Sequence, residues 1–331
     1  MNLGIIGTGK IVQEVLKAIR PIEGICLNAV YSRRMETGAA LADPFGIPRV
    51  YTDLEEFLSD DTVDTVYIAS PNSLHYEQAR AALRHGKHVI AEKPFTSTLR
   101  EAEELCSMAV SKGLFLFEAV TTHYLPNYQY IKEQLPKLGR IRIVQCCFSQ
   151  YSSRYDALLA GETPNVFHPK FSGGALEDIN LYNIQFVMGL FGQPIAADYT
   201  PNRHENGIDT SGVAVLKYPD FVCICEGAKD TFGVNSVQIQ GEKGYLYVTG
   251  ESNECREICL VLRDGTREIC RRQDRERWFY EFEQMKQIID RTDYKTCQKQ
   301  LELTLQVVGC MEAMRKKAGI VFGADKGSAL H

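Results

Sequence analysis

Lys93 is the first residue whose setting suggests chemistry. It closes the run Lys87-His88-Val89-Ile90-Ala91-Glu92-Lys93-Pro94-Phe95-Thr96, in which an apolar strand leads straight into a lysine. Lys before Pro is common on surfaces and means little alone. This chain, however, opens with Leu3-Gly4-Ile5-Ile6-Gly7-Thr8-Gly9-Lys10-Ile11-Val12, a strand feeding a glycine turn. In a parallel sheet, ligands bind outside the carboxyl ends of the strands. Gly7 and Lys93 then share one sheet edge, with a lysine beside a bound dinucleotide. That arrangement suits chemistry on the cofactor as well as binding.

The glycine turn stands where the dinucleotide fingerprint requires it, after a strand and before a helix. Gly7 permits the tight turn, and Gly9 lets the backbone approach a pyrophosphate. Thr8, Lys10 and Ile11 complete the loop at the positive end of the helix. The third fingerprint position is Val12 instead of Gly or Ala, which implies looser packing or a shifted helix. The second strand ends Ala29-Val30-Tyr31-Ser32-Arg33-Arg34, without the acid that usually takes the ribose hydroxyls of NAD. Ser32, Arg33 and Arg34 instead suit a 2′-phosphate, since a guanidinium offers a fork of donors. NADP(H) is therefore expected as the preferred cofactor, with NAD(H) as the alternative. Ser70-Pro71-Asn72-Ser73-Leu74-His75 follows the fourth strand and starts a helix. Ser70 and Asn72 are candidate cofactor contacts, with Asn72 bonding ribose or capping the helix. His75 faces the cofactor or packs at the domain seam. Glu92 and Lys93 complete the cofactor set.

Elements with the right periods must position these residues. Up to about residue 122, short apolar runs alternate with helical patterns. The strands are Leu3–Ile6, Ile25–Tyr31, Arg49–Tyr51, Val63–Ala69, His88–Ala91 and Leu114–Phe117. The helices between them include Lys10–Arg20, Met35–Asp43 ended by Pro44, Leu74–His85 and Thr98–Lys112. Such alternation predicts a parallel sheet covered on both faces. The second half reads differently. A helix near Ala175–Phe191 precedes Ile195–Thr200, Gly212–Tyr218, Phe221–Ala228, Val234–Gln240, Tyr245–Thr249 and Glu257–Arg263, which join the earlier strand Arg140–Tyr151. Consecutive strands with short turns predict an antiparallel sheet. Helices at Trp278–Arg291 and Thr296–Ala318 follow, with a frayed tail over Gly323–His331. The expected domains are 1–122 and 123–331.

The composition narrows the function classes. The 331 residues are 44% hydrophobic, enough for two cores, and carry a net charge of −5 with the signs mixed. No basic stripe for nucleic acid and no polybasic tail for a membrane stands out. No apolar run approaches the roughly 20 residues needed to span a bilayer. Eleven scattered cysteines without paired Cys-x-x-Cys spacing argue for free thiols in a reducing, cytoplasmic setting and against a structural metal. Apolar positions on one face of the second sheet, among them Phe148, Tyr218, Phe221, Tyr245 and Tyr247, predict a homodimer or homotetramer assembled through it.

Four motifs together carry a resemblance: the glycine turn, Ser-Pro-Asn-x-x-His, Glu-Lys-Pro, and Ser172-Gly173-Gly174-Ala175-Leu176-Glu177-Asp178-Ile179-Asn180-Leu181-Tyr182. Over essentially its whole length the chain resembles the Gfo/Idh/MocA oxidoreductases, named for glucose–fructose oxidoreductase and inositol dehydrogenase. The resemblance implies an α/β N-terminal Rossmann domain plus an α+β C-terminal domain with a large open, mainly antiparallel sheet. It also implies a catalytic set: Lys93 near nicotinamide and substrate, with Asp178 and Tyr182 matching the family's Asp and later His or Tyr. Tyr182 and the following Ile184-Gln185-Phe186 look more like the dihydrodiol and xylose dehydrogenases than the inositol branch. Asn180 departs from the glycine common there. Asp178 and Tyr182, at i and i+4, share one helix face. Tyrosine is a poor base unless a cation lowers its pKa, a role open to Lys93, which can also donate the proton itself. His123, after the sixth strand, and Asn165, Phe167 and His168, on the loop before the catalytic helix, are candidate substrate contacts. The expected activity is NAD(P)-dependent hydride transfer at an alcohol or carbonyl of a sugar, polyol or cyclic diol. The rival is a non-catalytic dinucleotide-binding sensor.

Overall fold

A computed structural model of the chain describes residues 1–326. It divides into two compact units, Met1–Ala119 with Trp278–Leu305, and Val120–Arg277 with the chain from Gln306 on. In the first unit, β1 (Asn2–Ile6), β2 (Cys26–Tyr31), β3 (Arg49–Tyr51), β4 (Thr65–Ile68), β5 (His88–Glu92) and β6 (Leu116–Ala119) form one sheet. Its order is β3-β2-β1-β4-β5-β6, with every neighbouring pair parallel. Leu3, Ile5, Val66, Ile68, Val89 and Ile90 are fully buried, as strands covered on both faces require. The helices are α1 (Lys10–Ile19), α2 (Met35–Phe45), α3 (Leu54–Leu58), α4 (His75–Arg84) and α5 (Leu99–Lys112). Thr98 and Glu101 form a capping box at the start of α5. Pro44 does not end α2 as expected. The helix continues to Phe45 and stops at Gly46, whose left-handed backbone lets its N–H reach the last carbonyls. The strand order reverses between β1 and β4, and a ligand crevice belongs at such a switch point.

The second unit is built on an eight-stranded sheet. Its strands are β7 (Ile141–Ser149), β8 (Ala196–Arg203), β9 (Asp209–Lys217), β10 (Val222–Ala228), β11 (Ser236–Gly241), β12 (Gly244–Thr249), β13 (Glu257–Leu262) and β14 (Arg267–Cys270). They lie in the order β14-β13-β12-β11-β7-β10-β9-β8. Pairing is antiparallel except between β7 and β10, which run parallel. The edge strand β14 is missing from the sequence reading because Arg267-Glu268-Ile269-Cys270 lacks a clear alternation. Helices α6 (Pro126–Gln134), α7 (Tyr155–Leu159) and α8 (Leu181–Phe191) accompany the sheet, and α8 is entered through a π-helical turn, Leu176–Asn180. Val144, Cys146, Phe148, Cys223 and Cys225 are buried on one face of the sheet. Ile143, Val213, Val215, Tyr245 and Ile269 are exposed. Of the aromatic positions, some of which are expected to face outward, Tyr245 is exposed, whereas Phe148 packs with Ala175, Ile179 and Tyr182, and Tyr218 is buried and stacks on Phe221.

These units differ from a division at residue 122: the first break falls after Ala119, and residues 278–305 group with the first unit. They comprise nearly all of α9 (Arg277–Asp290) and the first half of α10 (Tyr294–Lys317). Side chains on α9 and α10 explain the grouping. Phe282 meets Tyr67 edge-on, Tyr294 stacks on Phe115 at 4.5 Å, and the Thr304 hydroxyl donates to Glu118 at 2.9 Å. The expected frayed tail is ordered at its start. Gly323–Lys326 forms a short 3-10 turn, in which Asp325 accepts two hydrogen bonds from the buried Arg315. The rest of that tail lies outside the described residues. Among the described residues no helix is long and apolar enough to cross a membrane.

Candidate active site

A cavity of about 950 Å³ opens in the first unit at the carboxyl ends of β1, β2 and β4. Ile6–Gly9 form one wall, Tyr31–Arg34 with Thr37 a second, and Ala69–Pro71 with Leu74 and Gln78 a third. Gly7 has φ +116°, and a Cβ there would lie 2.4 Å from the Ala69 carbonyl oxygen, so only glycine lets β1 leave against β4. Gly9 is the N-cap of α1 and supplies no side-chain cap; a Cβ there would meet nothing within 4 Å. The start of α1 thus has no side-chain cap and open space beside Gly9, a setting that suits an anion. These features fit a dinucleotide diphosphate. Val12 is fully buried in a regular helix, so its bulk is accommodated.

The rim at Ser32–Arg34 fits a further phosphate. Arg33 and Arg34 are exposed and line the cavity. Ser32 Oγ lies 2.6 Å from Thr37 Oγ1, and Thr37 donates to the Arg34 carbonyl at 3.0 Å. Ser32 is thus the donor within the pair, and it can donate to a phosphate only by handing that role to Thr37. Thr37 and Gln78 escaped the sequence reading. Neither sits in a motif, and each reaches the cavity from the first or second turn of a helix.

The remaining cofactor candidates sit elsewhere. Among the described residues, Lys10, Ile11, Asn72, His75, Glu92 and Lys93 are not on the cavity wall. Asn72 does not cap the helix; it opens a 3-10 turn, Asn72–Leu74, whose N-cap is Pro71. His75 is buried between two backbone carbonyls. Its ring is 1% exposed, with Nδ1 2.9 Å from the Pro94 carbonyl and Nε2 2.9 Å from the Ser70 carbonyl. It ties the loop after β4 to the loop after β5. Burial, helped by the Lys93 charge, pushes its pKa down. Glu92 is held by the Tyr67 hydroxyl at 2.7 Å and itself accepts the Lys93 N–H at 3.3 Å. Its place is under the backbone of Lys93, which is half-buried.

In the second unit, Asp178 and Tyr182 lie on the π turn and the first turn of α8. The glycine pair before them has a steric reason. A Cβ on Gly173 would meet the Val166 carbonyl oxygen at 2.4 Å, and one on Gly174 would meet Asp209 Oδ1 at 2.0 Å. That space lets the buried Asp209 accept the Leu176 N–H at 2.6 Å and the Tyr199 hydroxyl at 2.7 Å. Tyr182 packs against Phe148, with ring centroids 6.0 Å apart. Asp178 is paired with Lys229, a buried residue that the sequence reading missed. Asn180 is also explained. Its amide donates to the Cys225 carbonyl at 2.9 Å, and Gly227 on the facing strand makes room for it.

The candidate substrate contacts His123, Phe167 and His168 each have partners within the second unit. His123 Nε2 lies 2.9 Å from Gln185 Oε1, and its ring meets Tyr128 edge-on. Burial pushes its pKa down to about 4. Phe167 is fully buried against Tyr155, and His168 Nδ1 accepts the Lys170 N–H at 3.1 Å. Asn165 alone among them is exposed. Among the described residues no group of His, Cys, Asp and Glu side chains could hold a metal ion.

Residues 1–120 match the family described as "Oxidoreductase family, NAD-binding Rossmann fold", and residues 128–247 match the "GFO/IDH/MocA C-terminal domain". The chain is 36% identical over 327 residues to the scyllo-inositol 2-dehydrogenase (NADP(+)) IolU of Bacillus subtilis, covering 98% of this chain and 99% of that protein. It is 30% identical to the trans-1,2-dihydrobenzene-1,2-diol dehydrogenase of Danio rerio, over 75% of this chain and 74% of that one. It is 33% identical to the D-xylose 1-dehydrogenase (NADP(+)) 2 of Haloferax volcanii, over 66% of each. Its fold is that of KijD10, a 3-ketoreductase from Actinomadura kijaniata solved with NADP and TDP-benzene. The TM-score is 0.84 at 22% identity, covering 96% of this chain and 97% of that one. The architecture of both units and these relatives together establish that the chain belongs to the Gfo/Idh/MocA family of oxidoreductases.

Proposed function

We propose that this protein interconverts an alcohol and a carbonyl on a sugar, polyol or cyclic diol, using NADP(H) in preference to NAD(H). The observation that carries the cofactor reading is the cavity wall. An uncapped helix start suits the diphosphate, and Ser32, Arg33 and Arg34 offer donors and positive charge where an acid would select NAD. The substrate reading is supported by relatives named for an inositol, a dihydrodiol and a pentose. When bound, the nicotinamide accepts or supplies the hydride. The chain's residues manage the proton and the substrate. Lys93 acts as the charged partner and proton donor to the carbonyl oxygen, taking the proton back in the oxidative direction. Tyr182 shares that transfer, and Asp178 orients the substrate or the donor.

The test is a panel containing scyllo-inositol, D-xylose and a trans-diol. Each is incubated with NADP⁺ and NAD⁺ separately while absorbance of the reduced nicotinamide is followed. Turnover with at least one substrate, faster with NADP⁺, is expected. Cofactor binding without turnover across the panel and its carbonyl counterparts would favour the sensor. The proposal extends to a cytoplasmic homodimer or homotetramer assembled through the sheet face that carries Val213, Val215 and Tyr245. A monomer by light scattering at micromolar concentration would contradict that assembly. The free cysteines, several of them buried, suit a reducing compartment.

A further inference from the structure

We propose that Lys229 is a positioning residue, a second active-site lysine that fixes the place and rotamer of Asp178. The inference rests on the reading above, in which Asp178 serves the reaction. Lys229 follows the last residue of β10, and its backbone is held on both sides. Its N–H donates to the Thr210 carbonyl at 2.8 Å, and its carbonyl accepts the Ser152 N–H at 2.9 Å. Its side chain keeps 7% of its exposure against 27% for Asp178, and its Nζ donates to Asp178 Oδ2. The ammonium is the deeply buried partner of this pair. A buried ammonium is strongly disfavoured without a counter-charge, so the Lys229 head group stays against the Asp178 carboxyl and fixes where that carboxyl sits.

The local backbone concentrates this effect on one carboxyl group. Asp178 sits in the π turn, with its N–H on the Gly174 carbonyl at 3.0 Å. Such turns project side chains that a regular helix would place elsewhere, and they recur at functional sites. A carboxylate already bonded to a buried lysine is an acceptor, and it is not the acid of the reaction. Asp178 is therefore a preset acceptor for a substrate hydroxyl, which leaves proton transfer to Lys93 and Tyr182.

The test compares Lys229→Met, Lys229→Arg, Asp178→Asn and the double variant Lys229→Met/Asp178→Asn, using the panel substrate turned over fastest. NADPH affinity, measured separately, reports on the first unit. Lys229→Met is expected to lower kcat/KM on the order of 10²-fold, the cost of misplacing a reacting partner. It should move the same parameter, kcat or KM, that Asp178→Asn moves, and Lys229→Arg should recover part of the loss. In the Asp178→Asn background, removing Lys229 should change kcat/KM less than about threefold, since a positioning residue acts through its partner. Where Lys229→Met alone does not fold, that last comparison decides, because the double variant buries no unpaired charge. A further loss of about tenfold there, or parental kcat/KM in folded Lys229→Met, overturns the inference. Parental turnover in Asp178→Asn instead overturns the role of Asp178 in the reading beneath it.

Discussion

Around Asp178 the shaping contacts come from residues far along the chain. Leu176 bonds Asp209, Asn180 bonds Cys225, and Asp178 pairs with Lys229, at separations of 33, 45 and 51 positions. Around Gly7–Gly9 the decisive features are local backbone: a positive φ, an uncapped helix start and a short strand before it. A site made of backbone needs particular residues only where geometry forbids others, and those residues are glycines in a short motif. A site made of side chains from different strands leaves no spacing rule at all. The first unit therefore tolerates a change such as Val12 in its fingerprint. The second seats Asn180 against a strand position, Gly227, that has no side chain.

The strongest challenge to this contrast is Lys93→Met. Lys93 lies off the cavity wall, so NADPH affinity should stay close to parental. Turnover should fall roughly 10²–10⁴-fold, the usual share of acid–base catalysis. Steady-state kinetics beside a fluorescence titration of NADPH separates the two. Full turnover with intact binding would remove Lys93 from the chemistry and leave the backbone cavity as the part of the site that stands.

Acid pH probes the second unit through His123. Burial lowers its pKa to about 4 from an ordinary 6.5. The unfolded chain takes up a proton near 6.5, and the folded chain refuses it until about 4. The unfolded state thus binds more protons in that window, and stability falls as pH drops through it. The loss is complete near pH 4 at about 3 kcal/mol or less, since each tenfold difference in proton affinity between the two states is worth about 1.4 kcal/mol. Urea midpoints between pH 7 and 4 should decline less steeply in His123→Asn. His75, also depressed by burial, leaves a residual slope of the same sign. Equal slopes in parent and variant would show that His123 titrates normally.

How much was legible follows the same line. The β1–α1 turn, the parallel sheet, the antiparallel sheet and the Glu-Lys-Pro lysine all announce themselves over a few residues. His75 was ambiguous because a histidine at the start of a helix reads alike whether it faces a ligand or two carbonyls. His123, Phe167 and His168 read as candidate substrate contacts from their place on connections, and no spacing announces that their rings meet Gln185, Tyr155 and Phe171. Lys229 was silent because nothing near it in sequence marks its partner. The same holds for α9, whose membership of the first unit depends on Phe282 meeting Tyr67.

Arg33→Ala tests whether exposed side chains add selectivity to the backbone cavity. Losing one charged hydrogen bond costs about 1.5–3 kcal/mol, or roughly 10- to 150-fold in NADPH affinity. NADH affinity should change little, so the preference narrows without reversing the fit of the diphosphate. Titration of both cofactors in parent and variant gives the answer. A parent that prefers NADH would reject the 2′-phosphate assignment and leave Ser32–Arg34 an ordinary charged turn.

Gly227→Ala carries the smallest expected effect and bears most directly on the contrast. A Cβ at 227 would lie 2.4 Å from Asn180 Cβ and 3.0 Å from its Cα, so backbone must move as well as side chain. Overpacking of this kind costs about 1–3 kcal/mol. Asn180→Gly alone should also destabilise, because it removes the bond to the Cys225 carbonyl and leaves a void. If the two positions exchange size, the double variant should be less destabilised than the sum of the singles. Contacting residues depart from additivity by about 0.5 kcal/mol or more. Urea midpoints for the four proteins measure this coupling. Strict additivity would mean that the β10 strand and the π turn relax independently. The long-range fit that distinguishes the second unit would then be looser than its packing implies.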